Sequence, residues 1–132
     1  MQLIIPLIIL IRDGQAGRDF FMVALAAFAV ERTIYFSLKN SLKRPRPPQV
    51  IPYFLAIVTP ADQFSFPSGH SMASFLLATL VIAYMGNEAF PIVIWAIGVG
   101  LSRIILGVHF PTDILAGASL GTLIGYIASG WL

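Results

Sequence analysis

Pro67, Ser68, Gly69 and His70 stand together at the start of a long apolar run, and their types suit one kind of chemistry. Pro67 ends any preceding helix, Ser68 is a good N-cap, Gly69 lets a ligand approach the backbone, and His70 exchanges a proton near neutral pH. A helix starting here turns unpaired N–H groups and the positive end of its dipole toward an anion such as phosphate. Taken alone, the stretch also has a plainer reading: Ser68 only caps the helix and His70 is an interfacial histidine. Two more groups decide between them. One is the basic, proline-rich run from Lys39 through Lys43 and Arg44 to Arg46, and the other is Ser102, Arg103, His109 and Asp113. Asp113 follows His109 by four residues, with Pro111 placed to open a helix between them, so the carboxylate can hold the imidazole in one tautomer and stabilise its charge. Singly, Asp113 is also explained as a first-turn carboxylate favoured by the helix dipole, and Arg103 as a helix-end residue snorkelling to the surface. Jointly, several cations, a helix N-terminus, two histidines and a carboxylate are the parts for phosphoryl transfer without a metal. Cations and backbone donors hold the phosphate oxygens, one histidine attacks phosphorus and the other protonates the leaving oxygen.

These groups are scattered over a chain of 132 residues, so folding must bring them together. The chain is 58% hydrophobic and 11% charged, against about 25% charged in an ordinary soluble domain, which makes it a membrane protein. One domain suits the length, and its architecture is expected to be an all-α transmembrane helix bundle. A net charge of +2 is too small to suggest nucleic acid. The absence of cysteine excludes disulfides, thiol nucleophiles and cysteine metal sites. Residues 1–11 are apolar but lack the basic start and cleavage site of a signal peptide. At about 1.5 Å per residue they cover roughly half a bilayer core. They read as the tail of a spanning helix whose beginning is absent, from a longer protein, or as a re-entrant or interfacial segment. A polar turn is expected over residues 12–19, followed by a span over 20–38 that carries Glu31 and Arg32 inside it. That pair reads first as a structural ion pair and second as support for the site near the helix end.

Residues 39–66 contain no plausible span, and the prolines forbid a continuous helix. The stretch 53–59, flanked by aromatic residues, is expected to lie in the headgroup layer as a loop or short helix. Three more spans follow at about 70–85, 90–106 and 111–132, joined by tight turns at 86–88 and 107–110. In the last span Asp113, Gly117, Gly121, Gly125 and Ser129 recur at steps of four, a small-residue stripe for close helix packing. Counting crossings from the basic loop places Lys39, Lys43, Arg44, Arg46, Ser68, His70, Ser102, Arg103, His109 and Asp113 on one membrane face. The other face keeps Arg12, Asp13, Arg18, Asp19 and Glu88.

With that arrangement the chain resembles the type 2 phosphatidic acid phosphatase and haloperoxidase superfamily. Its three-part signature, K-x6-R-P, P-S-G-H and S-R-x5-H-x3-D, stands here as Lys39 with Arg46-Pro47, Pro67-Ser68-Gly69-His70, and Ser102-Arg103 with His109 and Asp113. The resemblance implies that His109 is the nucleophile forming a phosphohistidine, Asp113 its orienting partner and His70 the general acid. Lys39, Arg46, Ser68, Gly69 and Arg103 would bind the phosphate, with no metal and no cofactor. Lys43 and Arg44 match no signature position and read as headgroup-facing charges. Membrane members of the family usually have six spans, so four spans plus an N-terminal partial helix would be the core of that fold. The soluble, vanadate-binding haloperoxidase branch does not fit these apolar spans. The expectation is therefore a metal-independent phosphatase acting on a lipid phosphate or diphosphate: phosphatidic acid, phosphatidylglycerophosphate or an isoprenyl diphosphate such as undecaprenyl diphosphate. Its partners would be the bilayer and the lipid phosphate, and its place a bacterial inner membrane with the site facing the periplasm. The positive-inside rule would put the basic loop in the cytoplasm, but phosphate binding explains those charges, and Arg12 and Arg18 suit a cytoplasmic loop. A lipid phosphotransferase of the same fold and a proton- or ion-relay transporter using Glu31, His70, His109 and Asp113 are the alternatives. Oligomeric state is not readable.

Overall fold

A computed structural model describes residues 3–52, 55–57 and 64–132 of the chain. Helices α1 (Ile4–Leu42), α2 (Pro47–Val50), α3 (Gly69–Met85), α4 (Pro91–Ile105) and α5 (Pro111–Ser129) follow in order, with a 3-10 turn at Asn87–Ala89 before α4. The starts follow from the sequence: Ser68 caps α3 through its side chain, and proline opens α2, α4 and α5, where a missing N–H costs nothing.

The polar turn expected over residues 12–19 is much shorter. Helix runs through Arg12 and Arg18, and the chain leaves helical geometry inside α1 at Gly14 alone (φ 61°, ψ −124°), a conformation open to glycine because it has no Cβ. Local helix propensity on either side outweighs polarity, so one residue does the work of a loop. The two arms then fold back on each other. A Cβ at Gly17 would lie 2.2 Å from the carbonyl oxygen of Ile9, so the arms touch backbone to backbone. The first arm returns alongside the second, and the second, residues 15–42, is about 40 Å long at 1.5 Å per residue, enough to cross a bilayer.

The spans read at 70–85, 90–106 and 111–132 correspond to α3, α4 and α5, the last ending at Ser129. α1 and the segment Asn87–Ile105 are long and apolar enough to cross a membrane, and α3 is an apolar helix of 17 residues. Large apolar side chains face outward: Ile11 is 77% exposed, Ile94 72% and Ile105 72%, as in a bundle whose solvent is hydrocarbon. Inside, Phe20, Ala24 and Phe28 of α1 meet Met72, Leu76 and Leu80 of α3 and Ile124 of α5. Because lipid tails are as apolar as leucine, close contact rather than escape from water must hold these helices together. The glycine stripe supplies it. A Cβ at Gly117 would sit 2.6 Å from the Ser68 carbonyl oxygen, and one at Gly121 2.2 Å from that of Met72. α5 therefore lies against the α3 backbone itself.

The aromatic stretch 53–59 lies largely outside the described residues. Within it, the Ile57 N–H donates to the Leu106 carbonyl (2.8 Å), which ties this loop to the end of α4.

Candidate active site

The C-terminal end of α1, the N-terminus of α3, the C-terminal end of α4 and the N-terminus of α5 meet at one end of the bundle. His70 lies within electrostatic reach of Arg32, Arg46, Arg103 and His109, although these residues span much of the sequence. The opposite end holds the Gly14 bend. There Arg12 pairs with Asp13 (2.5 Å), and the Tyr84 hydroxyl donates to the same carboxylate (2.7 Å).

His109 sits in the turn between α4 and α5 and is buried. Its Nε2 faces the Arg46 guanidinium, with Nη1 at 3.3 Å, while that same Nη1 donates to the Val108 carbonyl at 2.7 Å. A guanidinium only donates hydrogen bonds, so the ring nitrogen facing it is the one bearing a lone pair. The proton of the neutral ring then belongs on Nδ1, which lies 3.7 Å from Asp113 Oδ2 and has no hydrogen-bond partner. That gap is longer than a hydrogen bond, so the two groups face each other without being bonded. Asp113 is fully buried at the first turn of α5, where its Oδ2 accepts the Phe110 N–H at 2.7 Å. Imidazole and carboxylate are thus held by the same short turn, with Nε2 toward the cations.

Ser68 is buried, its Oγ accepting the Ser71 N–H (3.3 Å), its own N–H donating to the Asp113 carbonyl (3.2 Å). The start of α3 is thereby locked to the start of α5. Gly69, expected to allow close ligand approach, has the space of a Cβ bordered by Tyr35 ring atoms (3.1 and 3.2 Å) and by Arg32 Nη2 (3.3 Å). His70, one residue into α3, is exposed and lines a cavity of about 680 Å³ with Arg32, Gly69, Ser74 and the apolar Ile4, Ile5, Trp95 and Val99. Lys39 is buried at the end of α1 with its ammonium 5.3 Å from the Tyr35 ring centroid. Arg103 is half-buried, and its Nε is buried without a hydrogen-bond partner. Ser102 does not join the group: it is exposed and its hydroxyl donates to the Val99 carbonyl within its own helix (2.7 Å).

Two arginines take a larger part than their first readings give them, Arg44 as a headgroup-facing charge and Arg32 as half of a structural ion pair. Arg44 donates from Nη1 to Thr112 Oγ1 (2.6 Å) and to Asp113 Oδ1 (3.1 Å). The available signal was the alternation Arg44-Pro45-Arg46: in an extended segment, residues two apart point to the same side. Arg32 pairs with the fully buried Glu31 and also approaches the Gly69 carbonyl (Nη2 to O, 3.4 Å). The Glu31–Arg32 pair is therefore both structural and in contact with the start of α3. Lys43 remains outside, exposed at the end of α1.

Residues 20–132 match the family model described as the PAP2 superfamily. The chain belongs to the PAP2 superfamily, on its membrane lipid phosphatase branch. Among PAP2 relatives it is 34% identical to phosphatidylglycerophosphatase B of Bacillus subtilis, over 97% of this chain and 67% of that protein. It is 33% identical to decaprenylphosphoryl-5-phosphoribose phosphatase of Mycobacterium tuberculosis, over 95% of this chain and 68% of the other. The crystal structure of the transmembrane PAP2-type phosphatidylglycerolphosphate phosphatase from Bacillus subtilis superposes with a TM-score of 0.76 at 30% identity, covering 98% of this chain and 66% of that one. The chain thus spans about two thirds of the length of these PAP2 relatives.

Proposed function

We propose that this protein removes a phosphate from a membrane lipid through a phosphohistidine on His109, without a metal ion. The observation that carries the proposal is the orientation of His109, whose lone-pair nitrogen faces Arg46 while its other nitrogen faces the buried Asp113 carboxylate. In the first step His109 Nε2 bonds to phosphorus as the phosphorus–oxygen bond to the lipid breaks, and His70 gives its proton to the departing oxygen. Asp113 stabilises the positive charge that the imidazole gains. In the second step water attacks the phosphohistidine, His70 takes the water's proton, and inorganic phosphate leaves as Nε2 recovers its lone pair. Lys39, Arg46 and Arg103 hold the phosphoryl oxygens through both steps, assisted by Ser68 and Gly69 at the start of α3.

The cavity beside His70 supports a lipid leaving group, because its wall of Ile4, Ile5, Trp95 and Val99 is apolar up to the polar end where the proton donor sits. The names of the relatives suggest phosphatidylglycerophosphate and polyprenyl-linked phosphates as first substrates to try, beside phosphatidic acid and an isoprenyl diphosphate such as undecaprenyl diphosphate. We place the chain as one membrane-embedded domain in a bacterial inner membrane, its reactive end toward the periplasm. Purified protein is expected to release phosphate from at least one of these lipids, with EDTA leaving the rate unchanged. His109→Ala should lower that rate by about 10³-fold or more. Turnover by His109→Ala at the native rate would overturn the mechanism.

A further inference from the structure

The geometry points to Arg44 as a positioning residue that sets the nucleophile through Asp113; this inference rests on the phosphatase reading above. Arg44 and Arg46 flank Pro45, which forms an isolated antiparallel bridge with Phe64, and the Ser65 N–H donates to the Arg44 carbonyl at 2.8 Å. The segment is therefore extended, Arg46 itself having φ −79° and ψ 158°. Side chains two residues apart in such a segment share a side. Both guanidiniums accordingly reach the same turn: Arg46 meets His109 Nε2 at one end of the imidazole–carboxylate pair, and Arg44 meets Asp113 Oδ1 at the other.

Asp113 has four neighbours, one of them the Ser65 hydroxyl, which also hydrogen-bonds the carboxylate. Its Oδ2 accepts the Phe110 N–H and faces His109 Nδ1, and its Oδ1 takes the charged bond from Arg44. The guanidinium is itself fixed, since it lies 4.5 Å from the Phe110 ring centroid and its Nη1 also donates to Thr112 Oγ1. Without that cation the fully buried carboxylate would keep only neutral donors, the Phe110 N–H and the Ser65 hydroxyl, beside the imidazole. With it, the carboxylate plane is held so that Oδ2 addresses Nδ1, and charge-assisted bonds are the ones stiff enough to do this. Arg44 touches the orienter rather than the reacting atoms, so its effect belongs on the chemical step and not on lipid binding.

The test uses the full chain in mixed micelles of detergent and phosphatidylglycerophosphate, or whichever lipid of the panel above is turned over. Arg44→Gln is expected to lower kcat about tenfold with KM within about twofold of the native value, the split that marks an interaction made in the transition state. Arg44→Lys, which keeps the charge but not the forked geometry, should recover part of that loss. The double variant Arg44→Gln/Asp113→Asn should be no slower than Asp113→Asn alone, because the arginine acts only through the carboxylate. A double variant slower than Asp113→Asn by the full Arg44→Gln factor overturns the inference, as does a raised KM with native kcat, which would mark a headgroup contact. If Arg44→Gln does not fold, Arg44→Lys carries the same decision: reduced kcat at native KM supports the inference, and native kcat overturns it. The His109→Ala control separates the two levels. An active control removes the phosphatase mechanism, whereas an inactive control beside a native-like Arg44→Gln removes this inference alone.

Discussion

Glu31 shows how much depends on a single partner. It is fully buried on α1, and its carboxylate is neutralised by Arg32, whose guanidinium also lies 4.4 Å from the Tyr35 ring centroid. Removing one member of a fully buried pair costs about 3–5 kcal/mol; here only the carboxylate is fully buried, so losing Arg32 costs less than that, and removing both costs less again. Arg32→Met alone should therefore lower thermal stability in detergent, and Glu31→Gln/Arg32→Met should recover most of it, read from melting curves of the three proteins. A double variant as unstable as the single one would show that Arg32 matters through Gly69 and Tyr35 instead. At this scale the sequence told which residue types could do phosphoryl chemistry, because His109, Asp113, His70 and the spaced cations are rare in an apolar chain. It did not tell which cation faces which group. Arg44 and Arg46 are chemically identical, and only the extended backbone between Lys43 and Pro47 assigns one to a carboxylate and the other to an imidazole.

At the scale of elements, hydrophobic length alone located α3, α4 and α5 to within a few residues, because proline and glycine mark their ends. The bend of α1 was harder to read. Eight polar or small residues look like a loop, yet every position but Gly14 accepts helical geometry, and backbone contact at Gly17 then folds the arms together. The interface of α5 with α3 was legible as a stripe, and its geometry now carries a prediction. Any side chain at Gly121 collides with the Met72 carbonyl, so Gly121→Val must push α5 off α3. Overpacking of this kind costs about 1–3 kcal/mol. Since Ser68 and Asp113 are tied across the same interface, phosphate release should fall together with the melting temperature. Gly98, whose Cβ would meet nothing within 4 Å, is the control: Gly98→Ala should leave both unchanged. Equal effects at the two positions would show that close contact along the stripe is not what holds α5.

For the whole molecule, counting crossings anticipated that the candidate phosphate-site residues lie toward one end of the bundle, and the sidedness of that end is open to a direct test. The chain has no cysteine, so single cysteines report sidedness without background. Asn40→Cys, exposed at the reactive end, should react in intact cells with a thiol reagent that does not cross membranes, and Glu88→Cys, exposed at the far end, should not. The reverse pattern would place the reactive end in the cytoplasm. What sequence could not anticipate at this scale is where the first arm of α1 ends up: its return alongside the second arm brings Ile4 and Ile5 to the cavity beside His70. That cavity gives the proposed reaction a division of traffic. Ile4 and Trp95 in its apolar wall are themselves exposed on the outside of the bundle, where acyl chains would pack, while Arg32 and His70 line its polar end. Cleavage would sort its own products, the greasy alcohol slipping sideways into the leaflet and the orthophosphate diffusing off into water, so that neither has to back out past the other before the next lipid arrives.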